Sequence, residues 1–509
     1  MRRLLLDARW ALALAAVSLW LSPVRAAQDR LVVALDTKYA SMDLYGSSQT
    51  NVFNLFLLIN DPLLERDEKD FSIRPHLVTE WKNVSPTVWE FKLREDVKFH
   101  NGRELTAEAV RFTLMDWILK PERKSPLASG FKWIKDVEVT GKHAFRIVCH
   151  EPYPLVLDRL TYVFPYDPTY AAEKDPAHLA ENPVGTGPYR FVKWERGASL
   201  EITANEAYWH KGVPKIRGIV FRIIPEISTR LAELRSGGVD LVVNMDPDKA
   251  AQVQGDPNLK IISSPTYRIN FYQFDGSARA EKTPVADARV RRAVAHAIDR
   301  QAIIKTVLAG QAEPLEAPLT RFHFGYDPAL KGYEYSPDKA KALLKEAGYP
   351  DGFALDVWQY YNVQNQFNQA AMGFLSKVGI KVNLKDYRGN IGQLITMRNT
   401  GKVTGIGNYA WGSLFIFDAD AVLPAWFMTS APMCYNQDPE LEQWLKEAGS
   451  ILDQNRRKEL YLMAQRRIIE EAYWVPLFLQ YQICAAKKGL EVSASPDEML
   501  RLHHASWAK

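Results

Sequence analysis

The chain has 509 residues, with 64 Lys and Arg against 60 Asp and Glu, and a formal net charge of +4. Hydrophobic residues make up 47% and charged residues 24%, an ordinary globular composition long enough for two or three domains. So small a charge excess excludes a dedicated nucleic-acid binder, which needs a basic face, and no like-charge or low-complexity run marks a disordered tail.

MRRLLLDAR places Arg2, Arg3 and Arg9 ahead of an apolar run, Trp10 to Leu21, broken only by Ser18. The small residues Val24 and Ala26 follow. A basic start, a short apolar core and a small-x-small exit predict a secretory signal peptide over 1–26. The run is too short for a membrane anchor, which needs about 20 apolar residues. Cleavage after Ala26 removes Arg2, Arg3, Arg9, Arg25 and Asp7, a net +3, so the mature charge falls from +4 to about +1. No later segment is long enough to span, and no cysteine follows the run to take a lipid. The expectation is an untethered monomer of the periplasm.

DRLVVALDT then reads as a strand entering the polar loop Asp36–Asp43. WEFKLREDVKFHNG (89–102) alternates apolar and polar residues and predicts a half-buried hairpin closed at Asn101–Gly102. Thr106 stands where it caps a helix over AEAVRFTLMDWIL. PVGTGPY (183–189) carries two glycines but leads into a strand, has no Lys after its glycines and loses a donor at Pro188. It is therefore a tight turn needing backbone freedom at Gly185 and Gly187, not a phosphate cradle. YRFVKW and LEITAN form a hairpin around ERGAS. KIRGIVFRII, the helix STRLAELRSGG and VDLVVNM make a βαβ unit.

The second half is more helical. ARVRRAVAHAIDRQAIIKTVLAG (288–310) keeps its apolar residues on one face as a single helix ending at Gly310. SPDKAKALLKEAG has Ser336 at the cap, Pro337 in the first turn and Gly348 at the exit. ALDVWQYY, a helix around Phe367–Val378 and GIKVNLKDY complete another α/β unit. A helix over Asn455–Glu471 precedes the strand WVPLFLQYQICAA.

Nothing in the chain spells catalysis. HExxH and G-x-S-x-G are absent, Asp418 and Asp420 stand two apart without other hydrolase signals, and His503–His504 form an isolated pair. No catalytic residue, metal or cofactor is expected. Cys149, Cys434 and Cys484 are too widely spaced for CxxC chemistry. They form either one disulfide, Cys434–Cys484, or three buried thiols.

WEFKLREDVKFHNGRELTAEAV, NPVGTGPYRFVKWERG, DARVRRAVAHAIDR, YSPDKAKALLKEAGYPDGF and GIKVNL, in this order, resemble the solute-binding proteins of the peptide, opine and nickel class (family 5) of ABC importers. The resemblance covers nearly the whole mature chain. It implies an α/β fold of the type II periplasmic binding protein kind, two lobes with a hinged cleft plus an extra α/β domain. Lobe I takes 27–60, 180–272 and 476–509, the extra domain 61–179, and lobe II 273–475. The implied partners are a small-molecule or peptide ligand and an inner-membrane ABC permease.

The resemblance also points to site residues. In NYAWGSLFIFDADAVL (408–423), Trp411 matches the family tryptophan, while Leu414 or Phe415 stands where peptide-binding relatives carry an amine-anchoring Asp. Arg388 stands where relatives often have Glu. It either offers a planar fork to an anionic ligand or pairs with Asp386. A buried ammonium without a counter-charge is costly, so these departures favour an acidic conjugate, an opine-like solute or a modified peptide, with di- or oligopeptides as the alternative. Tyr39, Ser41, Tyr267, Arg268, Tyr361, Asn362, Tyr409 and Tyr481 complete the candidate set, each on a strand or loop that the resemblance places at the cleft.

Overall fold

The computed structural model describes residues 29–47, 50–67, 69–276, 283–412 and 416–508. The expected signal peptide over 1–26 and the positions Leu414 and Phe415 lie outside them.

Among the described residues, eleven strands share a central sheet. They are β1 (Arg30–Leu35), β2 (Tyr189–Glu195), β3 (Ser199–Ala204), β4 (Gly218–Ile223), β5 (Leu241–Val242) and β6 (Leu259–Phe274). Then come β7 (Ala312–Pro314), β8 (Phe353–Gln359), β9 (Ile380–Asp386), β10 (Ile406–Trp411) and β11 (Trp474–Lys487). The order is β9-β8-β10-β6-β11-β5-β1-β4-β3-β2, with β7 also on β11.

Two long strands decide the architecture. β6 and β11, rich in β-branched and aromatic residues, pair antiparallel from Leu259↔Lys487 to Gln273↔Trp474. On its outer side β11 meets β5 at Ala485 and Ala486, and on its outer side β6 meets β10 along Ile269–Phe274. The pair therefore carries the sheet from one half to the other. Its register breaks between Pro265 and Ile269, where proline has no N–H to give. There Tyr267 N donates to Pro496 O and Thr266 Oγ1 to Gln480 O. Separate apolar cores sit at the two ends, one around Leu231, Val242 and Ile483, another around Phe367, Ile406 and Phe478.

A second sheet of four antiparallel strands runs Val78–Ser85, Val88–Leu93, Ala144–Cys149, Ile134–Gly141. This revises the reading of 89–102. Val88–Leu93 pairs with strands on both sides, and the Asn101–Gly102 turn closes only a Lys98–Glu104 bridge. Thr106 takes the cap position without a side-chain bond, and the helix it opens widens to π geometry over Phe112–Ile118.

The helix expected over 288–310 is two helices, Ala288–Ala297 and Arg300–Thr306. Ile298 is extended, and the Asp299 carboxylate accepts from Ala302 N at 2.9 Å, so a local cap outcompetes continuation. Pro337–Glu346 forms with Ser336 as its cap. Gln454–Glu470 is capped by Asp453, and among the described residues no helix is long and apolar enough to cross a membrane.

The PVGTGPY turn is architectural for a different reason than backbone freedom. Neither Gly185 nor Gly187 has a positive φ. Instead a Cβ on Gly185 would lie 2.2 Å from Ile59 O, and one on Gly187 would lie 2.5 Å from Asn60 N. The loop packs backbone to backbone against the end of the helix Thr50–Ile59, with Gly187 N donating to Ile59 O at 2.9 Å.

The Cys434–Cys484 disulfide does not form. Cys484 is buried on β11 opposite Ile262, whereas Cys434 precedes Tyr435, which packs in the other half of the molecule, and its thiol donates to Asn436 O at 3.1 Å. All three cysteines are thiols.

Candidate functional site

Where β6 and β11 pass between the halves, a cavity of about 340 Å³ opens above them. One wall comes from the loop after β1 and the helix behind it, with Asp36, Tyr39, Asn51 and Asn54, and from the turn after β5, with Asn244 and Asp246. The opposite wall is Tyr361, Asn362 and Val363, at the start of the helix Asn362–Ser376. The floor is Arg268 of β6 with Gln480, Tyr481 and Gln482 of β11. Apart from Asn51 and Asn54, which lie on the helix Thr50–Ile59, the wall side chains follow the carboxyl ends of strands, where turns expose polar groups that the sheet cannot pair.

The tyrosines do different work. Tyr39 is buried edge-on against Phe221, ring centroids 6.2 Å apart, and burial pushes its phenol upward. The Tyr481 hydroxyl donates to Glu313 Oε1 at 2.7 Å, and burial with that carboxylate pushes it up to about 12. Tyr361 stays exposed and leans on Tyr360 at 4.3 Å.

Acid dominates the lining. Asp36 accepts from Asn244 Nδ2 at 3.1 Å. Asp246 has its carboxyl raised by burial and then by Asp248 nearby. Arg268 is held by Glu498, Nε to Oε1 at 2.6 Å and Nη2 to Oε2 at 2.5 Å, so the floor's guanidinium is already neutralised. Burial works against the Arg268 charge and Glu498 outweighs it, raising its pKa. Glu498 adopts φ 62, a left-handed conformation rare outside glycine, and its carbonyl accepts from Gln482 Nε2 at 3.0 Å.

Of the sequence candidates, Tyr39, Arg268, Tyr361, Asn362 and Tyr481 meet at this cavity. Arg388 lies one residue behind it. Its fork clasps Asp386, Nε to Oδ2 at 2.8 Å and Nη2 to Oδ2 at 2.6 Å, and Nη1 donates to Asn362 Oδ1 at 3.2 Å. Ser41 accepts from Asp43 N at 2.9 Å in its own turn. Tyr267 packs edge-on against Phe417, and Tyr409 is buried between Phe271, Tyr360 and Trp426. Trp411 is half-buried, its Nε1 donating to Ala421 O at 3.0 Å and its ring edge-on to Trp426. None of these last five lines the cavity.

Sequence reasoning missed Asp36, Asp246, Gln480, Gln482 and Glu498. The first two end strands that were legible, and strand ends are where ligand-facing polar groups concentrate. For Glu498, remote from the rest in sequence, no pattern gave a signal.

Asp418 caps the short turn Ala419–Ala421 and pairs with Arg457 Nη2 at 2.9 and 3.0 Å, deep in the core. A second cavity of about 410 Å³ brings His76, His503 and His504 near Asp61 and Glu65. His76 is clamped by Asp61 at 3.0 Å and Glu65 at 3.1 Å, and the His503 and His504 rings lie 4.1 Å apart. Among the described residues, no group of three or more side chains is arranged to hold a metal.

The sequence profile of the bacterial extracellular solute-binding proteins, family 5 (middle region), matches residues 72–432. The glutathione-binding protein GsiB of Salmonella typhi is 27% identical over 502 residues, 95% of each chain. GsiB of Pectobacterium atrosepticum is 27% identical over 493 residues, 92% of each. Among solved structures, DppA of Helicobacter pylori with peptide STSA has a TM-score of 0.79 at 24% identity, over 96% of this chain and 100% of that one. AgaA of A. tumefaciens R10 with agropinic acid has a TM-score of 0.78 at 24% identity, over 94% and 99%. At that identity the two structures bear on the fold, which is that of the type II periplasmic binding proteins. The chain belongs to family 5 of the bacterial extracellular solute-binding proteins, which bind small or peptide solutes for ABC importers and are not enzymes.

Proposed function

We propose that the protein, exported by cleavage of residues 1–26, works in the periplasm as a monomer that captures a short or modified peptide bearing a protonated amine. It carries this solute to an inner-membrane ABC permease. Lobe I (27–60, 180–272, 476–509) and lobe II (273–475) close on the solute about the two crossing strands, and the extra domain (61–179) supports lobe I. The observation that carries this reading is the cavity itself. It is enclosed by Tyr39 and Asp246 on one side and Tyr361 and Asn362 on the other, at the small end of the roughly 300–1,000 Å³ range of ligand sites. Closure removes solute surface from water on both sides, and a solute shifts the equilibrium by its differential affinity for the closed form.

The charge of the lining supports the peptide side of the range. Asp36 and Asp246 have no ion-pair partner within 4 Å among the described residues, whereas Arg268 is taken by Glu498 and Arg388 by Asp386. A solute amine fits that balance better than an additional carboxylate. The name of the relatives, glutathione-binding, describes a modified tripeptide with such an amine and adds to this reading. Native mass spectrometry of gently purified protein, followed by calorimetry with glutathione and simple dipeptides, tests it. A retained solute with an amine is expected. A retained acid lacking any amine would defeat the peptide reading.

A further inference from the structure

Two hydrogen bonds cross the cleft at its rim. Gln366 Nε2 donates to Asp248 Oδ1 at 2.8 Å, and Asn362 Nδ2 donates to Asp246 Oδ2 at 3.4 Å. Asn362 and Gln366 stand four residues apart on the helix Asn362–Ser376, hence on one face, one turn apart. Asp246 and Asp248 open the short helix Pro247–Ala250, just beyond β5. In the sheet, β5 lies on one side of the crossing pair and β8, which leads into the Asn362 helix, on the other. Both bonds therefore exist only while the two halves are together.

The amide of Asn362 is also oriented from behind. Its Oδ1 accepts from Arg388 Nη1 at 3.2 Å, which fixes Nδ2 as the group aimed across the cleft. Arg388 is in turn fixed by its fork on Asp386, at the end of the neighbouring strand β9. The result is a relay, Asp386–Arg388–Asn362–Asp246, in which a rigid guanidinium presets one side of a contact that the other side completes.

We propose that Asn362 and Gln366 form a latch that biases the unliganded protein toward its closed form, with Arg388 the positioning residue that presents Asn362. This deepens the capture reading above and rests on it. Amide-to-carboxylate bonds at a solvated rim are worth too little to lock the lobes, so the latch tilts an equilibrium that solute then completes. It also gives Arg388 a role that needs no contact with solute.

Small-angle scattering of unliganded protein tests the latch without knowledge of the solute. N362A/Q366A should enlarge the radius of gyration, with the open-to-closed ratio rising by about two- to tenfold per bond lost. Q366E, which sets a carboxylate against Asp248, should open the protein, and Q366K should compact it relative to Q366E. R388A should open it as N362A does, yet add nothing in the N362A background, which a merely structural role for Arg388 would not produce. Melting temperatures should stay near wild type, because the latch residues lie at the rim. Identical radii for wild type, N362A/Q366A, Q366E and Q366K would overturn the latch. An additive effect of R388A would remove Arg388 from it. Neither outcome bears on capture, which instead falls if the wild type retains no solute and binds none of the peptides tested.

Discussion

Arg268 on the crossing strand β6 and Glu498 in the C-terminal segment meet in a two-pronged ion pair, 2.6 and 2.5 Å, on the floor of the cleft. The pair joins residues 230 positions apart and leaves the cavity acidic overall. Both side chains are largely withdrawn from water, 19% and 10% exposed. Removing one partner therefore strands a charge.

Glu498→Ala should destabilise the protein by about 1–3 kcal/mol in chemical denaturation, and Arg268→Ala in the same background should recover part of that loss. A double variant as unstable as the sum of the singles would show that the two side chains act independently.

Arg457 and Asp418 make the deeper pair, 1% and 6% exposed. Burial drives the Asp418 carboxyl up to about 7 against the pull of Arg457. Arg457→Met should cost about 3–5 kcal/mol, because it leaves Asp418 in the core without its counter-charge. The midpoint of urea unfolding measures this, and Arg457→Lys should recover only part, since Nη2 on Asp418 and Nε on Ala448 O are two separate nitrogens that one ammonium does not replace.

Two glycine substitutions should move stability in opposite directions. Gly187→Ala forces a methyl onto the Ile59–Asn60 backbone and should cost at least about 1–3 kcal/mol. Gly373→Ala, within the helix Asn362–Ser376 and with nothing near its added methyl, should gain about 0.5–1 kcal/mol. Thermal melts of both variants beside wild type decide the matter.

His76 sets a pH dependence. Burial disfavours its charge, but Asp61 and Glu65 outweigh burial and raise its pKa to about 9. A histidine raised in the folded state contributes stability that is full below its unfolded pKa, near 6.5, and is lost as pH climbs through the folded value. Stability from this group should therefore fall between about pH 6.5 and 9. His76→Gln should flatten that slope, and equal slopes in denaturation series at pH 6.5 and 9 would remove His76 as its source.

The legible part of the fold was local. The YRFVKW and LEITAN hairpin, the Ser336-capped helix and the individual strands β8 and β9 each carry their pattern within a few residues, so sequence alone predicts them. Prediction failed where a local signal competes with a similar one. Asp299 caps a new helix inside what reads as one continuous face, and Val88–Leu93 pairs with the strand just before it and with the distant Ala144–Cys149 in place of the segment that follows it. The turn at Gly185 and Gly187 was legible as a turn, but its cause, contact with a backbone more than a hundred residues away, was not.

The site divides along the same line. Sequence by itself determined that this is an α/β binding protein without catalytic machinery, and it named five side chains that reach one cavity. Both come from the resemblance to family 5, carried by five motifs standing in the same order along nearly the whole chain. Tertiary structure alone decided which polar groups are already engaged there. Arg388 turns to Asp386, Arg268 to Glu498 and Asn362 to Asp246 because an ion pair or hydrogen bond depends on distances of a few ångströms between residues, and chain order does not encode those distances for positions as far apart as 268 and 498.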